Sequence, residues 1–139
     1  MDPLTVSYRR RQGWTVVEVT GELDIATADA LRGYLDGIVA AYAPVGVVLD
    51  LSRLQFCDAS GLRVLVGAHR AVLRRHGRLR LVCPDGMISL VLRITALATL
   101  IPVHATLAEA LTPGPDEDPP VTRTDGHGPA GVVEAGRAG

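Results

Sequence analysis

Lysine is missing from this chain: all 14 basic residues are arginine, set against 15 acidic ones for a net charge of -1. With alanine, glycine and valine abundant, the bias fits a high-GC coding sequence rather than a functional choice. No arginine cluster is large enough to track a phosphate backbone, so nucleic acid is not an expected partner. Cysteine is scarce. Cys57 and Cys83 have no CxxC spacing, which argues against a zinc or redox site. Both sit in apolar runs, where a free thiol behaves as a small hydrophobe, and no disulfide is expected. The four histidines, His69, His76, His104 and His127, share no ligand spacing, so no metal is expected. Long apolar runs are also missing. The stretch ITALATLIPV is too short to cross a bilayer, and MDPLTVSYRRR carries no apolar signal core, so a cytoplasmic location with no membrane span is expected. There is no GxSxG elbow (position 58 is Asp58), no phosphate loop and no dinucleotide fingerprint, so neither catalysis nor a cofactor is expected.

What is present begins with a sharp change in composition. Residues 1–112 carry 12 arginines and 10 acids; residues 113–139 carry 2 and 5. From Thr112 the chain is rich in proline and glycine, without aromatics or periodicity. Such a segment buries too little apolar surface to offset its ordering entropy, and 113–139 is expected to be a disordered tail behind one domain, 1–112. Within the domain, LTVSYRR and WTVVEVTG flank a turn at Gln12-Gly13 and read as a hairpin. Tyr8 and Trp14 are expected to pack or pair across it, with Arg9 to Arg11 a solvated strand end. Helical spacing of Leu31, Tyr34, Leu35, Ile38 and Tyr42 predicts a helix over 26–42, with Asp24 or Thr27 as its cap and Ala43-Pro44 as its end. VGVVLDL reads as a central strand.

A second helix comes after FCDASGL. Its expected inner face is Leu62, Leu65, Val66, His69, Val72 and Leu73, and Gly77 is its expected stop. RLRLVC is a further strand. A helix over 87–95 is expected to turn Met87, Leu90, Val91 and Ile94 inward. LIPV is a short strand, and Thr106 with Glu109 marks a capped last helix. The order ββαβαβαβα predicts an α/β fold with a mixed sheet that is parallel in part.

The junction FCDASGL raises the functional question. Asp58 is placed to cap the second helix, and Ser60 is either a helix-start residue or a phosphoacceptor. Gly61 permits close approach of another backbone. At about 100° per residue, Ser60, Arg63, Val64, Gly67, Ala71 and Arg74 share the outer face. Small residues stand there where charge is usual, which suits an interaction face. Asp24 either caps the first helix or joins the same rim.

Two stretches, TGELDIATADAL (Thr20 to Leu31) and VVLDLSRLQFCDASGLRVLV (Val47 to Val66), resemble the STAS family, and within it the bacterial anti-sigma factor antagonists. The resemblance implies a STAS-like mixed sheet with helices mainly on one side. It implies an antagonist that binds an anti-sigma factor serine kinase, releases a sigma factor, and is switched off by phosphorylation and restored by a PP2C-type phosphatase. Asp24, Asp58, Ala59, Ser60, Gly61, Arg63, Val64 and Gly67 then form the expected partner-binding set. The family's acceptor serine matches Ala59 here, so Ser60 is the phosphoacceptor candidate. Ala96 in ITALATL stands where relatives often have glycine. The alternative reading is a stand-alone sensor or adaptor of the same fold that binds a small ligand, a nucleotide or a transporter ATPase.

Overall fold

The computed structural model describes residues 3–42, 46–112 and 132–135. The hairpin forms as expected. Strand β1 (Leu4–Arg11) pairs antiparallel with β2 (Trp14–Leu23). Gln12 and Gly13 between them have φ of 52° and 88°, the pair of positive values that a two-residue turn between right-twisted strands requires. Three crossovers come next, through α1 (Ala28–Ala41), β3 (Gly46–Cys57), α2 (Ala59–Arg74), β4 (Arg78–Val82), α3 (Met87–Ile94), α4 (Leu97–Leu100) and β5 (Val103–His104). Helix α5 (Leu107–Leu111) and strand β6 (Val132–Ala135) complete the described chain. The sheet order is β5-β4-β3-β2-β1-β6, parallel from β2 to β5 and antiparallel around β1. The mixed sheet expected from the element order is therefore present, with α4 and β6 added to it.

One face of the sheet carries the main core. Val17, Val19, Val47, Leu49, Leu51, Leu79 and Leu81 pack against Leu31, Leu35 and Ile38 of α1, Leu65 and Val72 of α2, and Leu92 of α3. Trp14, Val16, Val48 and Val82 on the opposite face are covered by Ala110 and Leu111 of α5. Burial on both faces is why β3 reads as a continuous apolar run. Arg80, fully buried, lies on this second face. Its guanidinium stacks 4.5 Å over the Trp14 ring and donates to the carbonyls of Ala110 and Thr112 at the end of α5. Tyr8 sits opposite Val17 across the hairpin, and its ring also meets Tyr34 of α1 and Tyr42 just past that helix's end, edge-on at 6.2 and 6.5 Å.

Several expectations need correction. Helix α3 is rotated: Met87, Leu90 and Ile94 are exposed, Val91 is half-buried, and Leu92 and Ser89 face in. In α2, Val64 is buried rather than outward, and Leu73 is exposed rather than inward. Helix α2 packs on α1 as well as on the sheet, so its buried arc is displaced toward Val64. Gly77 does not supply the left-handed stop. His76 does, with φ of 60°, while the His76 and Gly77 amides donate to the Leu73 and Val72 carbonyls. The last strand is two residues, not four, because Pro102 precedes it without an N–H to give. Within the segment expected to lack structure, 132–135 instead adds β6 to the free edge of β1, pairing Leu4 with Ala135 and Ser7 with Val132. An open edge of unpaired backbone groups is the physical reason a short segment binds there. The rest of 113–139, and the expected helix end at Ala43-Pro44, lie outside the described residues.

Candidate functional site

Two strand-to-helix turns meet at the carboxyl end of the parallel strands. Leu23 and Cys57 are register partners, and the Asp58 amide donates to the Leu23 carbonyl at 3.2 Å. The β2–α1 turn and the β3–α2 turn are thereby tied side by side. In the first, Asp24 is buried. Its Oδ1 accepts from the amides of Ala26 and Thr27 at 2.9 and 3.2 Å. Thr27 Oγ1 accepts from the Asp24 amide and donates to the Glu22 carbonyl. Asp24 is thus a structural anchor of the turn.

In the second turn, Asp58 is the N-cap of α2, as its sequence position predicts. Its Oδ1 accepts from the Ser60 amide at 2.9 Å and the Gly61 amide at 3.2 Å. Ala59, the first helical residue, is exposed, and Ser60 is half-buried. Gly61 is buried. A Cβ added there would lie 2.7 Å from Leu23 Cγ and 2.8 Å from Cys57 Sγ, so the glycine lets α2 sit directly on the strand ends. Its role is internal packing, which corrects its expected exposure to a partner. The Cys57 thiol is pushed up to about 12 by burial first and then by Asp58, so it stays protonated and inert at neutral pH. Ile25, beside Asp24, is 80% exposed, and Phe56 is exposed as well. Neither was picked out from the sequence; the signal for Ile25 was an apolar residue inside a polar turn, and that for Phe56 an apolar residue at the turn-ward end of β3.

A groove of about 510 Å³ opens between α1 and α2. Ser60, Arg63, Gly67, Ala71 and Arg74 line it from α2, while Ala28, Asp29, Arg32 and Asp36 line it from α1. Val64 contributes to its floor. Above Gly67 there is open space: an added Cβ would meet nothing within 4 Å. The structure therefore brings Ser60, Arg63 and Gly67 to one accessible face, with Ala59 at its upper end. Asp24, Gly61 and Val64 lie beneath it. Among the described residues no group of three or more histidine, cysteine, aspartate or glutamate side chains is arranged to hold a metal, and no helix is long and apolar enough to cross a membrane.

The STAS domain model matches residues 5–110. The chain belongs to the STAS domain family. Its STAS domain is 28% identical over 109 residues to a protein named anti-sigma F factor antagonist from Paenibacillus polymyxa, covering 78% of this chain and 93% of that one. A shorter stretch of 71 residues is 34% identical to the Mycobacterium tuberculosis protein named anti-sigma-F factor antagonist RsfB, covering 51% of this chain and 57% of RsfB. Among solved structures, an anti-sigma factor antagonist from Mycobacterium paratuberculosis superposes with a TM-score of 0.71 at 30% identity, covering 78% of this chain and 91% of that one. The STAS resemblance carried by the motifs TGELDIATADAL and VVLDLSRLQFCDASGLRVLV is thus established over the whole described domain.

Proposed function

We propose that this STAS domain is an anti-sigma factor antagonist. It acts by binding rather than by catalysis, seating the start of α2 and its outer face against an anti-sigma factor and so releasing a sigma factor. The observation that carries this reading is the β3–α2 turn: a fixed aspartate cap holds Ala59 and Ser60 at the surface beside an open groove. The names of the relatives support the same reading. The partner is a serine-kinase-type anti-sigma factor, and Ser60 is its acceptor, with a PP2C-type phosphatase to reverse the modification. Ala59 has no hydroxyl to modify, whereas the Ser60 side chain lines the groove. A phosphate on Ser60 would find two nearby amides already taken by Asp58 and would share the turn with that carboxylate. The resulting repulsion and bulk favour release of a close-fitting partner.

The test is displacement. The anti-sigma factor encoded by the source genome is purified with its sigma factor, and the full chain is titrated in. Sigma factor is expected to be freed in proportion to added chain; an intact complex at saturating chain would contradict the proposal. With ATP present, mass spectrometry should place phosphate on Ser60, none on Ser60→Ala, and on position 59 as well in Ala59→Ser. Labelling of Ser60→Ala equal to wild type would remove Ser60 from its role.

A further inference from the structure

The groove between α1 and α2 has walls of opposite charge. On α1, Asp29 and Asp36 are exposed, with Arg32 already held by Asp29. On α2, Arg63 and Arg74 are exposed, and no acid of α2 lines the groove. Between the walls the floor is small or apolar: Ala28, Leu35, Val64, Ala68 and Ala71. An occupant that satisfies both walls must offer bases to α1 and acids to α2. The groove itself presents that arrangement when turned by a two-fold axis.

We propose that two copies of this chain associate face to face through the α1–α2 groove. Both helices cross between parallel strands, so they run in the same direction. A two-fold axis lying along them therefore sets α1 of one copy over α2 of the other, running in the same direction. Asp29 at the start of α1 then faces Arg63 near the start of the second copy's α2, and Asp36 faces Arg74 farther along it. At 1.5 Å per residue the acids are about 10 Å apart and the arginines about 16 Å apart, a difference that two long arginine side chains span. The same two contacts recur by symmetry, as an isologous interface demands. Gly67, with open space above it, lets the two backbones approach. Ser60 lines this groove, so the paired form covers it.

Charge exchange tests the proposal by sedimentation velocity on the full chain. Wild type should shift from one to two copies as concentration rises, and raised salt should reverse the shift because the pairs lie near the surface. Arg63→Glu with Arg74→Glu should weaken association roughly tenfold or more, and so should Asp29→Arg with Asp36→Arg. A mixture of the two double variants should associate again, because each restores the charge that the other has lost. All four positions are exposed, and circular dichroism of each variant should match wild type. A wild-type chain that stays single at every concentration would overturn the proposal and leave the groove to a partner of different sequence. Association that ignores both double variants, or a mixture that stays apart, would overturn it equally.

Discussion

The two turns at the carboxyl end of the sheet share one plan and put it to different uses. Each lies just past a parallel strand, and each places an aspartate whose Oδ1 accepts two backbone amides: Ala26 and Thr27 in the turn before α1 for Asp24, Ser60 and Gly61 inside α2 for Asp58. Around Asp24 the plan closes on itself. Thr27 completes the bonds, Asp24 is 8% exposed, and the turn is part of the core. Around Asp58 the plan stays open. Asp58 is half-buried, and Ala59 and Ser60 face solvent or the groove. One turn only fastens a helix; the other fastens a helix and leaves Ala59 and Ser60 at the surface, where the proposed partner would meet them. An acid in a strand-to-helix turn therefore says little about function until its neighbours' exposure is known.

The largest effect that would sharpen this contrast lies beneath the open turn. Gly61→Ala places a carbon within 2.9 Å of both Leu23 and Cys57. It should cost about 2 kcal/mol in chemical denaturation, the usual cost of overpacking. A neutral outcome would mean that the second turn is looser than the first. Next come the two aspartates. Asp24→Ala strands buried amides and should cost about 2 kcal/mol, whereas Asp58→Ala should cost about 1 kcal/mol because water reaches the freed amides. Equal costs, read from urea midpoints, would break the comparison.

Smaller gains are expected at two helix ends. Ala96 and His76 hold φ of 61° and 60°, a conformation that disfavours any Cβ. Ala96→Gly and His76→Gly should each raise stability by roughly 1 kcal/mol, read from the same urea midpoints. The smallest effect concerns His69, whose pKa is lowered by burial. The folded state resists its protonation, so its contribution to stability is intact above the ordinary histidine value of about 6.5 and is lost as pH falls through that value toward the folded one. His69→Gln should flatten the fall in thermal midpoint over that range. An unchanged slope would assign the acid sensitivity elsewhere.

Most of the fold was legible because local signals agreed with one another. Gln12-Gly13 marked the hairpin, Asp58 marked the start of α2, and the unbroken run of β3 marked a central strand. The misses have physical causes. Helix α3 is eight residues long and has apolar side chains on both sides, so periodicity alone does not choose between Leu92 and the stripe of Met87, Leu90 and Ile94. Val64 escaped because α2 buries an arc set by α1 as well as by the sheet. Arg80 escaped because alternation in RLRLV put it on a face that reads as solvent until Trp14 and α5 cover it. At the site, Asp58, Ala59 and Ser60 could be picked out from their order in the chain. The buried state of Asp24 and Gly61 could not, since it depends on how the strand ends are joined.

The proposed function makes the open turn a carrier of binding and not of the fold. It is tested most directly by measuring anti-sigma factor affinity and thermal midpoint together for wild type and Ser60→Asp. An acid in the first turn of α2 suits the helix dipole, so the midpoint should stay within about 2 °C of wild type. Added charge in a close-fitting interface should lower affinity by at least about tenfold, or 1.4 kcal/mol. Unchanged affinity at an unchanged midpoint would contradict the account.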